Sequence, residues 1–183
     1  MKNPNIKIFL ISGKAQHGKD TFAELLYQEL TGRGYRVLVT HYGDLVKYIC
    51  KTIFQWDGQK DEHGRHLLQY VGTDVVRSEN PNYWVNFVAD IIKFFGDNWD
   101  YVLIPDTRFP NEIEVLKENF NNVKHIRVTR PNFESTLTDE QKNHPSETSL
   151  DDSWPDVKVI NACTLDNLKV FVEEFVEYEL NYA

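Results

Sequence analysis

The sequence predicts an α/β domain, a parallel sheet of about five strands sandwiched between layers of helices. Three observations carry that expectation. Short apolar, β-rich runs alternate along the chain with segments of helical periodicity. The first such run feeds directly into a glycine-rich turn and then an amphipathic helix. Finally, 183 residues, 41% hydrophobic and 26% charged, suffice for one globular domain spanning 1–183 and are short for two.

Taken in order, strands are expected over 6–12, 37–41, 101–105, 123–129 and 157–160. Between them, Phe22, Leu25, Leu26 and Leu30 recur at helical spacing, as do Ile113, Leu116 and Phe120, and later Leu165, Leu168, Val172 and Phe175. Two stretches break the alternation. Residues 43–96 read as a mostly helical insertion with a polar turn at "WDGQKDEHGRH". Residues 131–156 lack clear periodicity and contain "TDEQKNHPSETSLDDSWP", the kind of long polar segment that serves as a lid.

Composition narrows the function. A net charge of −8 argues against a dedicated nucleic-acid binder, which carries a basic face, yet a few local Lys and Arg can still line a cleft for a small anion. Cys50 and Cys163 lie in apolar neighbourhoods without a CxxC, as expected of two reduced buried thiols. The amino-terminal "MKNPNIKIFLIS" is too short an apolar run for a signal peptide or a membrane span, and no longer run follows. The expected setting is cytoplasmic, with no membrane and no nucleic-acid polymer as partner.

"LISGKAQHGKDTF" holds Gly13, Gly18 and Lys19 at the spacing of a phosphate-binding loop, between a strand and a helix. That context is what the chemistry requires. Backbone N–H groups of Lys14, Ala15, Gln16, His17 and Gly18 and of the helix start then point into one concavity and hold phosphate oxygens. Lys19 reaches the β- and γ-phosphates. Asp20 stands where such loops carry Ser or Thr; its carboxylate is a hard-oxygen ligand for magnesium, and Thr21 offers a hydroxyl next door for the α-phosphate.

Further along, "YVLIPDTRFPNEIE" places Asp106 and Arg108 just past an apolar strand, at the edge where open α/β sheets bind ligands. Asp106 suits a magnesium shell and Arg108 a phosphate; a capping Asp with an ion pair from Arg108 to Glu112 or Glu114 is the structural alternative. In "LLQYVGTDVVRSENPNYWV", Arg77 suits the acceptor's phosphate, while Tyr83 and Trp84 either face its base or fill the core. "HYGDLVK" sets Asp44 and Lys47 where an acceptor could lie or where a solvated helix starts. "HPSETSLDD" offers His144, Ser146 and Glu147, as lid residues or as a turn whose Ser caps a helix. His63 and His66 lack a further ligand set for a metal.

At these residues the chain resembles the phage-type deoxynucleoside monophosphate kinases of the P-loop kinase superfamily. "SGKAQHGKDTFA", "LLQYVGTDVVRSENPNYWV", "PDTRFPNEIE" and "HPSETSLDD" are similar to that family's motifs in order and spacing, over most of 8–152. The resemblance makes Asp20 a family trait. It implies a P-loop NTPase-type three-layer sandwich with a nucleoside-monophosphate-kinase-like helical insertion (43–96) and lid (131–156). It further implies residues 13–21 for the phosphates of ATP, Asp106 and Arg108 for catalysis at the transferring phosphate, and Arg77 for the acceptor. With Lys19 and Mg2+ read from the loop, and Asp44, Lys47 and Trp84 from their own stretches, the expected acceptor is a (deoxy)nucleoside monophosphate. Two departures stand out. The family's "ADPLK"-like motif is "YGDLVK" here, without its Pro, which leaves the acceptor's base open, and Thr107 replaces an expected Val. Animal-type phosphomevalonate kinases share the GKD loop ending and an "SE" segment, so a non-nucleotide acceptor is the second expectation. A nucleotide-binding regulator is the third; against it, there is no NKxD, and the one DxxG, "DEHG" at Asp61, follows no strand. The sequence leaves the oligomeric state open, a homodimer included.

Overall fold

The computed structural model describes residues 5–162 and 164–182, so Cys163 lies outside the described residues. Five strands, β1 (Lys7–Ser12), β2 (Val37–Val39), β3 (Tyr101–Thr107), β4 (Asn122–Thr129) and β5 (Val157–Ile160), form one sheet in the order β2-β3-β1-β4-β5. Every pairing is parallel. Such a sheet is buried on both faces, which is why the strands read as near-continuous apolar runs.

Period-two alternation sorts each strand between two cores. Ile8, Leu10, Val102 and Ile104 face one layer, and Phe9, Ile11, Tyr101 and Leu103 face the other. The second layer is α1 (Lys19–Gly32) with α9 (Leu165–Tyr182); of the residues that the helical periodicity marks there, Phe22, Leu26, Leu30, Leu168, Val172 and Phe175 are buried, Leu25 is partly buried, and Leu165, at the start of α9, is exposed. The first layer comprises α6 (Pro110–Asn119) and the insertion, which runs α2 (Gly43–Ile53), α3 (Glu62–Gln69), a π-turn (Tyr70–Val75), α4 (Val76–Glu79) and α5 (Tyr83–Phe95). Two short helices, α7 (Asp139–Asn143) and α8 (Pro145–Thr148), sit in the 131–156 segment.

Three expectations change. β2 is shorter than expected because the chain leaves the ladder after the Thr40 N–H bond to Leu103 and turns into α2. β3 runs past Pro105 to Thr107: Leu10 pairs with Ile104 but Ser12 with Thr107, one extra residue on β3. That bulge absorbs Pro105, which has no N–H to give, and turns Asp106 at the mouth of the sheet. The polar turn at "WDGQKDEHGRH" is half helix, since Asp61 caps α3 by accepting from the Gly64 N–H at 2.7 Å. "DEHG" is therefore a helix cap. Among the described residues no helix is long and apolar enough to cross a membrane, and no cluster of three His, Cys, Asp or Glu could hold a metal, His63 and His66 included. Cys50 is fully buried, and burial pushes its thiol pKa up.

Candidate active site

The loop between β1 and α1 is shaped by close approach. A Cβ on Gly13 would lie 2.5 Å from the Val128 carbonyl oxygen. Gly18 takes φ +90° and faces the Asn161 amide, which donates to the His17 carbonyl at 3.1 Å. Gly18 begins α1 without any side-chain cap, so the N–H groups of the first turn stay open to an anion. Lys19 is only 7% exposed. Burial lowers its ammonium pKa and Arg108 adds to that, against Asp20, Glu147 and Asp106, which raise it. Lys19 is thus a desolvated cation held among an arginine and three carboxylates.

Lys19 opens on a cleft of ≈ 370 Å³ that Asp20, Lys47, Arg77, Asp106 and Arg108 also line. Within it, Asp106 accepts from the backbone N–H of Tyr42 at 3.0 Å and of Gly43 at 2.8 Å, capping the start of α2. The capping alternative is thus present, but on a neighbouring helix. Asp20 is exposed and has no side-chain partner among the described residues. Arg108 pairs with Glu147, and its guanidinium also donates to the Ser146 carbonyl at 2.9 Å. The ion pair from Arg108 to Glu112 or Glu114 does not form; only the Arg108 backbone N–H reaches Glu112, at 2.6 Å.

Glu112 belongs to Arg77 instead. Its carboxylate is 1% exposed and also accepts from the Phe109 N–H at 3.0 Å. Burial pushes its pKa up to about 7, while Arg77 and the two backbone donors pull it down. Arg77 lies 3.9 Å over the Phe109 ring and donates to the Pro81 carbonyl at 3.2 Å, so it is fixed before any ligand arrives. Glu112 was expected only as a partner for Arg108. The signal for its larger role is local: it is the third residue of a helix opening with Pro110, where a carboxylate folds back onto the preceding N–H groups.

The remaining expected residues divide. Lys47 lines the cleft, whereas Asp44 stands outside its lining and pairs with Lys47 at 2.8 Å and His41 at 3.2 Å. Trp84 is core at 2% exposure, its indole N–H donating to the Gly72 carbonyl in the π-turn at 2.8 Å, and it also contributes to the cleft wall. Tyr83 is 45% exposed. Lys60, Arg65 and Gln69 line the cleft without having been expected there; α3 carries two of them inward, a placement that a polar run does not reveal.

In the 131–156 segment, His144 rather than Ser146 caps α8, its Nδ1 accepting from the Ser146 N–H at 3.2 Å. The His144 Nε2 is buried without a hydrogen bond, 3.8 Å from Asp74. Glu147 accepts from the Ala15 N–H of the loop at 2.8 Å. Lys14 pairs with Asp151 at 2.9 Å, and Gln16 exchanges two hydrogen bonds with Thr136. The His17 ring meets Phe133 edge-on.

Comparison with solved structures shows that this architecture is shared at low sequence identity. It matches Mycobacterium tuberculosis APS kinase in complex with AMPPNP and APS with a TM-score of 0.55 at 12% identity, over 95% of this chain and 99% of that one. Residues 42–172 match the model of the family described as deoxynucleotide monophosphate kinase, and the chain belongs to that family. It is 32% identical to deoxynucleotide monophosphate kinase of Enterobacteria phage T4 over 57% of this chain and 41% of the relative. It is also 30% identical to phosphomevalonate kinase of Drosophila melanogaster, over 80% of this chain and 82% of that protein. The matched stretches span less than half the length of the curated phage relatives.

Proposed function

We propose that the protein transfers the γ-phosphate of ATP to a (deoxy)nucleoside monophosphate, giving the diphosphate. One observation carries this reading: the ends of β1 and β3 and the helical insertion bring Lys19, Asp106, Arg108 and Arg77 to a single cleft. Residues 13–21 hold the donor's phosphates through backbone N–H groups, with Lys19 on the β- and γ-phosphates and the Thr21 hydroxyl on the α-phosphate. Arg77 and Lys47 hold the acceptor's phosphate, Asp44 orients Lys47, and Trp84 supports the acceptor wall. An acceptor phosphate oxygen attacks the γ-phosphorus in line. The bond from that phosphorus to the β–γ bridging oxygen breaks, and its electrons stay on ADP. Arg108 and Lys19 neutralise the charge on the group in flight.

The donor set also fits a divalent cation. Asp20 has uncommitted oxygens, and each Asp106 oxygen keeps a lone pair beyond its backbone bond, which is the one or two carboxylates that Mg2+ takes beside phosphate and water oxygens. When bound, Mg2+ would offset the charge of the donor's phosphates. Residues 43–96 act as the acceptor-holding insertion and 131–156 as the lid of one kinase domain, in a reducing cytoplasmic setting that suits Cys50.

The similarity to a phosphomevalonate kinase over most of both chains favours a second acceptor class, a phosphorylated small molecule without a base. One screen separates the two: ATP consumption with each deoxy- and ribonucleoside monophosphate and with phosphomevalonate. Turnover with at least one nucleoside monophosphate well above the others supports the first reading. Turnover with phosphomevalonate alone supports the second, and ATP hydrolysis indifferent to every acceptor overturns both.

A further inference from the structure

We infer that Glu147 is an internal stand-in for the donor's phosphate, holding the 131–156 segment against the loop and leaving when nucleotide enters. This rests on the donor half of the proposed function and is independent of which acceptor is used. The carboxylate is 8% exposed and spans two donors of different kinds. One oxygen accepts the Ala15 N–H, a member of the loop's phosphate-facing set, at 2.8 Å; the other pairs with the Arg108 guanidinium. A backbone N–H of the loop and an arginine are the two groups that an incoming phosphate would engage, so carboxylate and phosphate compete for the same hydrogens.

The rest of the segment reinforces that placement. Asp151 bridges Lys14 at 2.9 Å and Arg127 at 3.0 Å, and Thr136 clasps Gln16. Three consecutive loop residues, Lys14, Ala15 and Gln16, are therefore each tied to the lid. A γ-phosphate set beside Glu147 would meet a like charge at close range, so nucleotide binding requires the carboxylate to withdraw. The measured affinity is then the intrinsic affinity multiplied by the fraction of molecules with Glu147 released. Arg108, freed from Glu147 by the same exchange, becomes available to the transferring group only when a donor is present.

The test uses the whole chain and Glu147→Gln, which keeps the side chain's size and one oxygen for Ala15 but removes the charge that holds Arg108. Calorimetric titration with AMPPNP and Mg2+, and separately with inorganic pyrophosphate, is compared with the unmodified protein. Both ligands are expected to bind roughly three- to tenfold more tightly to the variant, because a hydrogen bond to a neutral amide is weaker than one to a carboxylate. The thermal midpoint without ligand should fall by no more than a few degrees, which shows that the variant folds. Unchanged or weaker binding would overturn the inference and make Glu147 a ligand-positioning group. Tighter AMPPNP binding without tighter pyrophosphate binding would overturn it too, since the competition would not be for phosphate. These affinities are read without any acceptor, so failure of the acceptor screen leaves them standing.

Discussion

Lys19 shows how the site works at the scale of one side chain. Its ammonium is buried, desolvated and close to Arg108, a costly placement that a bound polyphosphate would relieve. Lys19→Ala is therefore expected to lower kcat roughly a thousandfold or more, about 4 kcal/mol of transition-state stabilisation, while the thermal midpoint stays level or rises slightly. Steady-state kinetics beside a melting curve checks both halves, and near-normal turnover would remove the phosphate-loop reading. Asp20→Asn tests the neighbouring position. With a weaker oxygen ligand, the Mg2+ concentration for half-maximal turnover should rise severalfold; an unchanged magnesium profile would reduce Asp20 to a carboxylate favouring the helix amino terminus. These two residues were legible because a loop motif is local. Glu147 and the Ala15 N–H lie 132 positions apart, so no pattern in the sequence could join them.

At the scale of elements, the alternation of apolar runs and helical periods gave away the sheet and its two covering layers. What it could not give was irregular backbone. The π-turn at Tyr70–Val75 leaves no mark on helical periodicity, and the bulge in β3 appears only as a register change against β1. The π-turn leads into the short helix that carries Arg77, and the bulge lies where β3 delivers Asp106. Arg77→Ala removes a proposed acceptor group and also strands the buried Glu112, so it should destabilise the fold by about 3 kcal/mol and raise the acceptor KM at least tenfold. Arg77→Lys keeps a cation near Glu112 and should recover most of the stability but little of the acceptor affinity, because an ammonium lacks the planar fork and its stacking on Phe109. AMPPNP affinity should hold in both variants. An equal loss of donor affinity would assign Arg77 to the ATP side or to the fold.

Across the whole molecule, two buried ionisable groups act on stability in opposite directions. His125 in β4 is 1% exposed and bonds through Nε2 to the Ser12 hydroxyl at 2.7 Å, joining β4 to β1 just before the loop that leads into α1. Burial lowers its pKa to about 4, with nearby Asp156 opposing. The unfolded chain therefore takes up a proton that the folded chain refuses, and the stability present above pH 6.5 is lost as pH falls toward 4. His17, its pKa lowered first by burial and then by Lys14, acts in the same direction. Glu112 does the reverse. With its pKa raised to about 7, the folded chain holds a proton that the unfolded chain releases near 4.5, so its contribution is full below 4.5 and fades as pH rises toward 7. Between pH 7 and pH 5 His125 should remove about 2 kcal/mol and Glu112 restore about 2 kcal/mol, leaving the native protein with a shallow profile. Glu112→Gln deletes one side of that balance. Urea unfolding at pH 7 and pH 5 should then show the variant losing about 2 kcal/mol more on acidification than the unmodified protein does. Parallel profiles would mean that Arg77 and the two backbone donors keep Glu112 ionised throughout, with the ion pair outweighing its burial.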